Sequence, residues 1–163
     1  MSRLDIFINR MVSQRACIDF ALAETARLSG PVFELGLGNG RTYDHLREKA
    51  GAENVFVFER AVESNPASTP DPEMVVLGDV RDTLPKSLER FGPTVRFAHA
   101  DLGGHNLEKN DTFARLVSPL IEPVLAVGGI VVSSDKMYFS ALKELPLPEG
   151  AVDGRCFIYQ RVS

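Results

Sequence analysis

The sequence predicts an α/β protein built on a doubly wound, mostly parallel sheet with helices on both faces. Three observations carry that expectation. Short, wholly apolar runs such as Val55-Phe56-Val57-Phe58 recur along the chain, as in strands buried on both faces of a parallel sheet. Helix-like patterns stand between them, in the places that crossover connections need. Glycine and proline punctuate the joints.

The elements follow in order. Residues 3–28 read as a helix with Leu4, Ile8, Met11, Ile18 and Leu22 on one stripe, which Arg15 interrupts. Ser29-Gly30-Pro31 ends it. Residues 32–35 form strand one. Residues 41–50 form a helix that Gly51 closes, and 55–58 form strand two. Pro66, Pro70 and Pro72 make 61–72 a loop. Strand three covers 74–77, a helix covers 83–91, and strand four covers 95–98. Residues 111–125 are helical, with Pro119 and Pro123 dividing them. Strand five is 130–133, a short helix is expected at 138–144, and 156–162 is the closing strand. Leu145-Pro146-Leu147-Pro148 makes a poor strand, because proline cannot donate to a ladder, so a regular sixth strand is expected to be missing.

A chain of 163 residues is long enough for a substantial core. It is read as one domain, 1–163, with 1–29 as an N-terminal helical segment. The formal charge is −4 and there is no basic run. Phosphate binding depends on Lys and Arg, so no nucleic-acid partner is expected. Cys17 and Cys156 are too few for a disulfide framework and suit a reducing cytoplasm. No signal peptide and no membrane-spanning run is visible.

The most informative stretch is Glu34-Leu35-Gly36-Leu37-Gly38-Asn39-Gly40-Arg41-Thr42. Its glycines let the backbone turn sharply and approach a ligand closely. The helix that follows would aim its free N–H groups into the same space. A dinucleotide fingerprint requires G-x-G-x-x-G. The pattern here is G-x-G-x-G, with Arg41 where the third glycine would fall. Glu34 would repel a pyrophosphate and suits a ligand bearing an ammonium or sulfonium. Every strand end also carries an acid: Glu34, then Glu59-Arg60, Gly78-Asp79-Val80, His99-Ala100-Asp101 and Ser134-Asp135. Ligands of such sheets bind at that edge.

These residues resemble the class I, Rossmann-like S-adenosylmethionine-dependent methyltransferases over roughly 30–135. The resemblance implies that Gly36, Gly38, Asn39 and Gly40 pass beneath the methionine part of S-adenosyl-L-methionine, flanked by Glu34, Arg41 and Thr42. It implies that Glu59, beside Arg60, takes the ribose hydroxyls, and that Asp79, between Gly78 and Val80, meets the adenine amino group. Asp101 would face the methionine end and the substrate. Val127-Gly128-Gly129-Ile130 resembles the turn leading into strand five. A carboxylate suits a ribose diol because it accepts from two O–H donors. Glu59 would equally suit a dinucleotide ribose.

Methyl transfer from a sulfonium needs mainly orientation. A base is needed only for an acceptor that keeps its proton. Asp101 and His105 are the catalytic candidates, and His99 and Tyr138 are weaker ones. Catechol-type O-methyltransferases are a closer resemblance to weigh, and they would imply a metal. Here Asp135 matches, but Lys136 replaces the Asn ligand and the strand-four acid falls at His99. A cation at 136 repels Mg²⁺, so no metal is expected. The Asn-Pro-Pro-Tyr pattern of nucleic-acid amino methyltransferases is absent. A small-molecule acceptor is expected, held by the N-terminal helix, the 103–110 loop, the 134–140 segment or a second subunit of a homo-oligomer. A catalytically silent binder of S-adenosylmethionine or S-adenosylhomocysteine, and an NAD(P)-binding protein, stay open as alternatives.

Overall fold

A computed structural model describes residues 1–163. Its elements are α1 (Arg3–Glu24), β1 (Val32–Leu35), α2 (Arg41–Ala50), β2 (Val55–Glu59), β3 (Val75–Leu77), α3 (Val80–Phe91), β4 (Val95–Ala100), α4 (Leu107–Ile121), β5 (Leu125–Ser133), β6 (Leu142–Leu145) and β7 (Phe157–Arg161). They build one seven-stranded sheet in the order β3-β2-β1-β4-β5-β7-β6. β1 to β5 pair in parallel, whereas β7 runs antiparallel to both β5 and β6. The chain winds outward from β1 to β3, then returns to place β4 on the other side of β1. That reversal is the topological switch point, where such sheets open a crevice beyond their carboxyl ends.

Side chains alternate between the two faces. Phe33 and Leu35 of β1 join Leu84 of α3 and Val117 and Ile121 of α4 in one core. Val32 of β1 and Phe97 of β4 join Cys17 and Ile18 of α1 and Tyr43 and Leu46 of α2 in the other. Each core covers one face of the sheet. No helix is long and apolar enough to cross a membrane.

The expected sheet is present, with local differences. The 138–144 segment is not helical: its end is β6, which pairs Leu142 with Arg161 and Leu145 with Ile158. A sixth strand therefore exists, ending just before Pro146. It is an edge strand with the charged pair Lys143-Glu144 exposed, a usual defence against edge-to-edge association. Glu122 fixes its approach by accepting from the Ser140 and Ala141 amides at 2.9 Å each. α1 stops at Glu24, where the Thr25 hydroxyl donates to the Ala21 carbonyl. α4 begins at Leu107, earlier than expected, because the Asn106 side chain accepts from the Lys109 amide at 3.0 Å. It absorbs Pro119 without dividing, and Pro123 sits in the 3-10 turn that follows. α3 begins at Val80, capped by Asp79. β5 begins at Leu125 through a bulge: its pairing with β4 jumps from Val95–Leu125 to Phe97–Ile130.

Gly30 marks where β1 must enter close beside β4. A Cβ there would lie 1.5 Å from the Thr94 carbonyl oxygen, a backbone atom. Gly30→Ala is expected to force the two segments apart and to cost about 1–3 kcal/mol, the scale of overpacking. Denaturant unfolding of the variant measures it.

Candidate functional site

The glycine turn after β1 occupies the switch point. Gly36, Gly38 and Gly40 have φ of 87°, 52° and 91°, a region that residues with a Cβ rarely enter. At Gly36 the constraint is also one of space, since a Cβ would sit 2.5 Å from the Asp101 carbonyl oxygen. Gly38 differs. A Cβ there meets no protein atom within 4 Å, so it would point into open space. Gly40 caps α2 without a side-chain acceptor, which leaves the first amides of α2 free for a ligand.

Glu59, at the end of β2, holds this turn in place. Its Oε2 accepts from the Leu37 amide at 2.7 Å and the Gly38 amide at 3.4 Å, and its Oε1 accepts from the Arg60 amide at 2.8 Å. A carboxylate oxygen has lone pairs beyond one such bond, so Glu59 can anchor the turn and still receive hydroxyl donors.

Two clefts open from the turn. The larger, about 470 Å³, is lined by Gly36, Gly38, Phe58, Glu59, Arg60, Gly78, Val80, Asp101, Leu102, Lys109, Asn110 and Phe113. Apolar Phe58, Val80, Leu102 and Phe113 face a polar rim. The smaller, about 170 Å³, runs under α1 and is lined by Arg10, Met11, Gln14, the turn from Gly36 to Thr42, and Asp101. Gly36, Gly38 and Asp101 belong to both. Asp101 stands where the two clefts meet. Its Oδ2 accepts from Arg10 and Gln14 at 3.2 Å each, and its Oδ1 accepts from the Ser134 hydroxyl at 2.8 Å.

The structure thus gathers Gly36, Gly38, Asn39, Gly40, Arg41, Thr42, Glu59, Arg60, Gly78, Val80 and Asp101 around two joined clefts. Asp79 stands beside them as the cap of α3. Arg81 grips its carboxylate through side chain and amide, and Arg60 adds a contact at 2.7 Å. The Arg81 contacts hold the Asp79 carboxyl far below the usual carboxylate range. Glu34 lies elsewhere. It is fully buried on the α1 face of the sheet, with Oε1 2.5 Å from His99 Nδ1. His105 sits on the exposed loop before α4 and lines neither cleft. The sequence points to Ser134 only as part of the strand-five end, and to Arg10, Gln14, Lys109 and Asn110 only as members of segments expected to hold the acceptor. Leu102 and Phe113 join the site without having been singled out from the sequence. Gln14 left a further trace there, as a polar residue one turn before Ile18 on the apolar stripe.

The metal-ligand positions of the catechol-type pattern do not converge. His99 is buried against Glu34. Lys136 is exposed, with its ammonium 5.7 Å from the Tyr138 ring centre. Asp135 is partly buried, and burial together with the nearby Asp101 charge pushes its carboxyl upward. No group of three His, Cys, Asp or Glu side chains is arranged to hold an ion.

Known proteins match this architecture closely. A family model described as S-adenosyl-L-methionine methyltransferase matches residues 1–161. The crystal structure of an S-adenosyl-L-methionine methyl transferase from Silicibacter pomeroyi DSS-3 is 68% identical, covers 99% of both chains and superposes with a TM-score of 0.95. The chain belongs to the S-adenosyl-L-methionine methyltransferase family. Its cofactor is S-adenosyl-L-methionine and its fold is the Rossmann-like methyltransferase fold. More distant structures share that fold. The Burkholderia thailandensis 1,6-didemethyltoxoflavin-N1-methyltransferase, solved with its substrate and S-adenosylhomocysteine, is 15% identical, with 98% and 82% coverage and a TM-score of 0.52. The aminoglycoside resistance methyltransferase NpmB1 is 14% identical, with 89% and 92% coverage and a TM-score of 0.51. Among curated proteins none matches.

The clefts of this methyltransferase suit that cofactor. Gly38 borders open space, and the clefts offer carboxylates, free amides and apolar walls. Gly38→Val should abolish S-adenosylhomocysteine binding, because its Cβ enters open cleft space that no protein atom fills and the left-handed backbone at this position disfavours a β-branched residue. Calorimetry on the folded variant checks this. Glu59→Ala should weaken the same binding by about 1.5–3 kcal/mol, the scale of hydrogen bonds to a charged group. A loss of only a few tenths would mean that the ribose lies elsewhere.

Proposed function

We propose that the protein transfers a methyl group from S-adenosyl-L-methionine to a small-molecule acceptor that reaches Asp101. The observation that carries this reading is the position of Asp101, the one acid that walls both clefts. When bound, the cofactor supplies a methyl group activated by its sulfonium. Glu59 would accept the ribose hydroxyls, and Phe58, Val80 and Leu102 would flank the base. Asp79 would accept from the adenine amino group, at the cost of loosening Arg60. Arg10, Arg41 and the free α2 amides would receive the methionine carboxylate in the smaller cleft.

Asp101 then orients the acceptor. Arg10, Gln14 and Ser134 fix both of its oxygens, so its lone pairs are aimed before any ligand arrives, and orientation is the main need of this displacement. An acceptor that keeps its proton would give it to Asp101, whereas His105 reaches the site only if its loop folds inward. A small acceptor suits a chain of net charge −4 whose sequence holds no basic run to meet a polyanion. A reducing cytoplasm suits the two free, buried thiols of Cys17 and Cys156.

Methyl-labelled cofactor incubated with the protein and a cell extract tests the acceptor class. The label should appear in the low-mass fraction. Label in RNA or protein would overturn the small-molecule reading, and label confined to the donor would favour a silent binder. Activity should persist after EDTA treatment, because Lys136 and the buried His99 replace the oxygen ligands a hard cation needs. Loss on chelation with recovery on adding Mg²⁺ would place a cation between Asp101 and Asp135.

A further inference from the structure

Glu34 and His99 form an ion pair with both side chains wholly out of solvent. Beyond their mutual bond, Glu34 Oε2 and His99 Nε2 have no hydrogen-bond partner. Such a pair is a poor source of stability, because desolvating two charges offsets most of their attraction, and well-packed apolar residues often serve better. What the pair does supply is a fixed geometry, so its role lies in what it holds.

It holds the switch point. Glu34 and His99 are register partners on β1 and β4, one rung below the last pair, Leu35 and Ala100. The next residues are Gly36 and Asp101. Here the two chains come so close that the Asp101 amide donates to the Leu35 carbonyl at 3.1 Å and only glycine fits at 36. The turn that shapes both clefts and the acid that walls both clefts therefore leave the sheet side by side, directly above the pair. His99 also lies two residues before Asp101, which directly follows β4, near enough for the Asp101 charge to act on the imidazole. Burial alone would depress the imidazolium, but the Glu34 charge and hydrogen bond, with a smaller contribution from Asp101, hold its pKa above the ordinary histidine range.

We propose that His99 is a positioning residue of the methyl-transfer site: paired with Glu34, it sets the spacing between the glycine turn and Asp101. This rests on the reading that Asp101 and the turn bracket the methionine end of the cofactor. The variants His99→Asn, Glu34→Gln and the double variant test it, with S-adenosylhomocysteine affinity measured by calorimetry on the full chain. Each single variant leaves a mismatched pair and is expected to bind roughly tenfold more weakly, the scale of a modest misplacement at a transfer site. The double variant restores a neutral amide pair and should recover most of the affinity.

Ile18→Val is the control for mere stability. It loosens the same packed layer without touching the tie and should leave affinity unchanged. Asp101→Asn separates the two readings. If it binds normally while His99→Asn binds weakly, the assignment of Asp101 fails and the tie to the glycine turn stands. Folded His99→Asn with wild-type affinity, or a double variant no better than the singles, overturns the proposal. Should His99→Asn not fold, ¹⁵N spectra of the wild-type imidazole decide. S-adenosylhomocysteine should shift the His99 ring signals, and an unmoved ring overturns the proposal.

Discussion

The arrangement of this site depends on Asp101. Its two oxygens accept from Arg10 and Gln14 of α1 and from Ser134 beyond β5. Two of these donors lie on α1 and the third directly follows β5, more than a hundred residues later in the chain. The carboxylate therefore sets how α1 sits over the carboxyl edge. The Arg10 contact is half-exposed and worth little by itself. The Gln14 contact carries more, because Gln14 is buried and a buried amide without a partner is costly. Removing Asp101 would leave that amide stranded, so the packing of α1 and the shape of the smaller cleft are one problem.

The two faces of the sheet divide the labour. The α3–α4 face packs Phe33 in ring contact with Phe56, Phe58 and Phe91, and its buried Thr83, Ser87 and Ser118 hydroxyls donate to the carbonyl one turn back. It provides the hydrophobic burial. The α1–α2 face carries a polar seam under α1, made of Ser13, Gln14, Glu34 and His99, all buried. A seam of this kind gives up hydrophobic stabilisation for directional bonds, and it runs beneath the cleft where directional bonds matter.

Much of this was legible in the sequence. β2 was readable as a continuous apolar run and β1 as an apolar run broken only by Glu34, and the glycine turn because three positive φ values at alternate positions favour glycine. Glu59 and Asp101 followed from strand ends. What escaped was set by partners far along the chain. The 138–144 segment has a helical composition, yet Leu142–Leu145 pairs with β7, and the pairing decides its state. The start of β5 was lost to a bulge that only β4 defines. Glu34 could have been placed from alternation alone, since it shares a face with the buried Val32. Arg10 and Lys109 reach the clefts because α1 and α4 dock over the carboxyl edge, which local pattern does not specify.

α1 has two unlike halves. Ser13, Gln14, Cys17, Ile18 and Ala21 pack it to the body, whereas Leu4, Phe7 and Ile8 project past the sheet and stand 66%, 46% and 47% exposed. The projecting half is held by the Ser2–Asp5 capping box and by its own backbone bonds. Helices shorter than about 12–15 residues are marginal by themselves in water. Amide hydrogen exchange along α1 should therefore be graded, fast before Arg10 and slow after Gln14. Arg10 and Met11, which wall the smaller cleft, lie on that gradient. Any fraying from the helix end would reach the cleft wall at Arg10 and Met11 first, so the shape of the smaller cleft is tied to the local stability of α1.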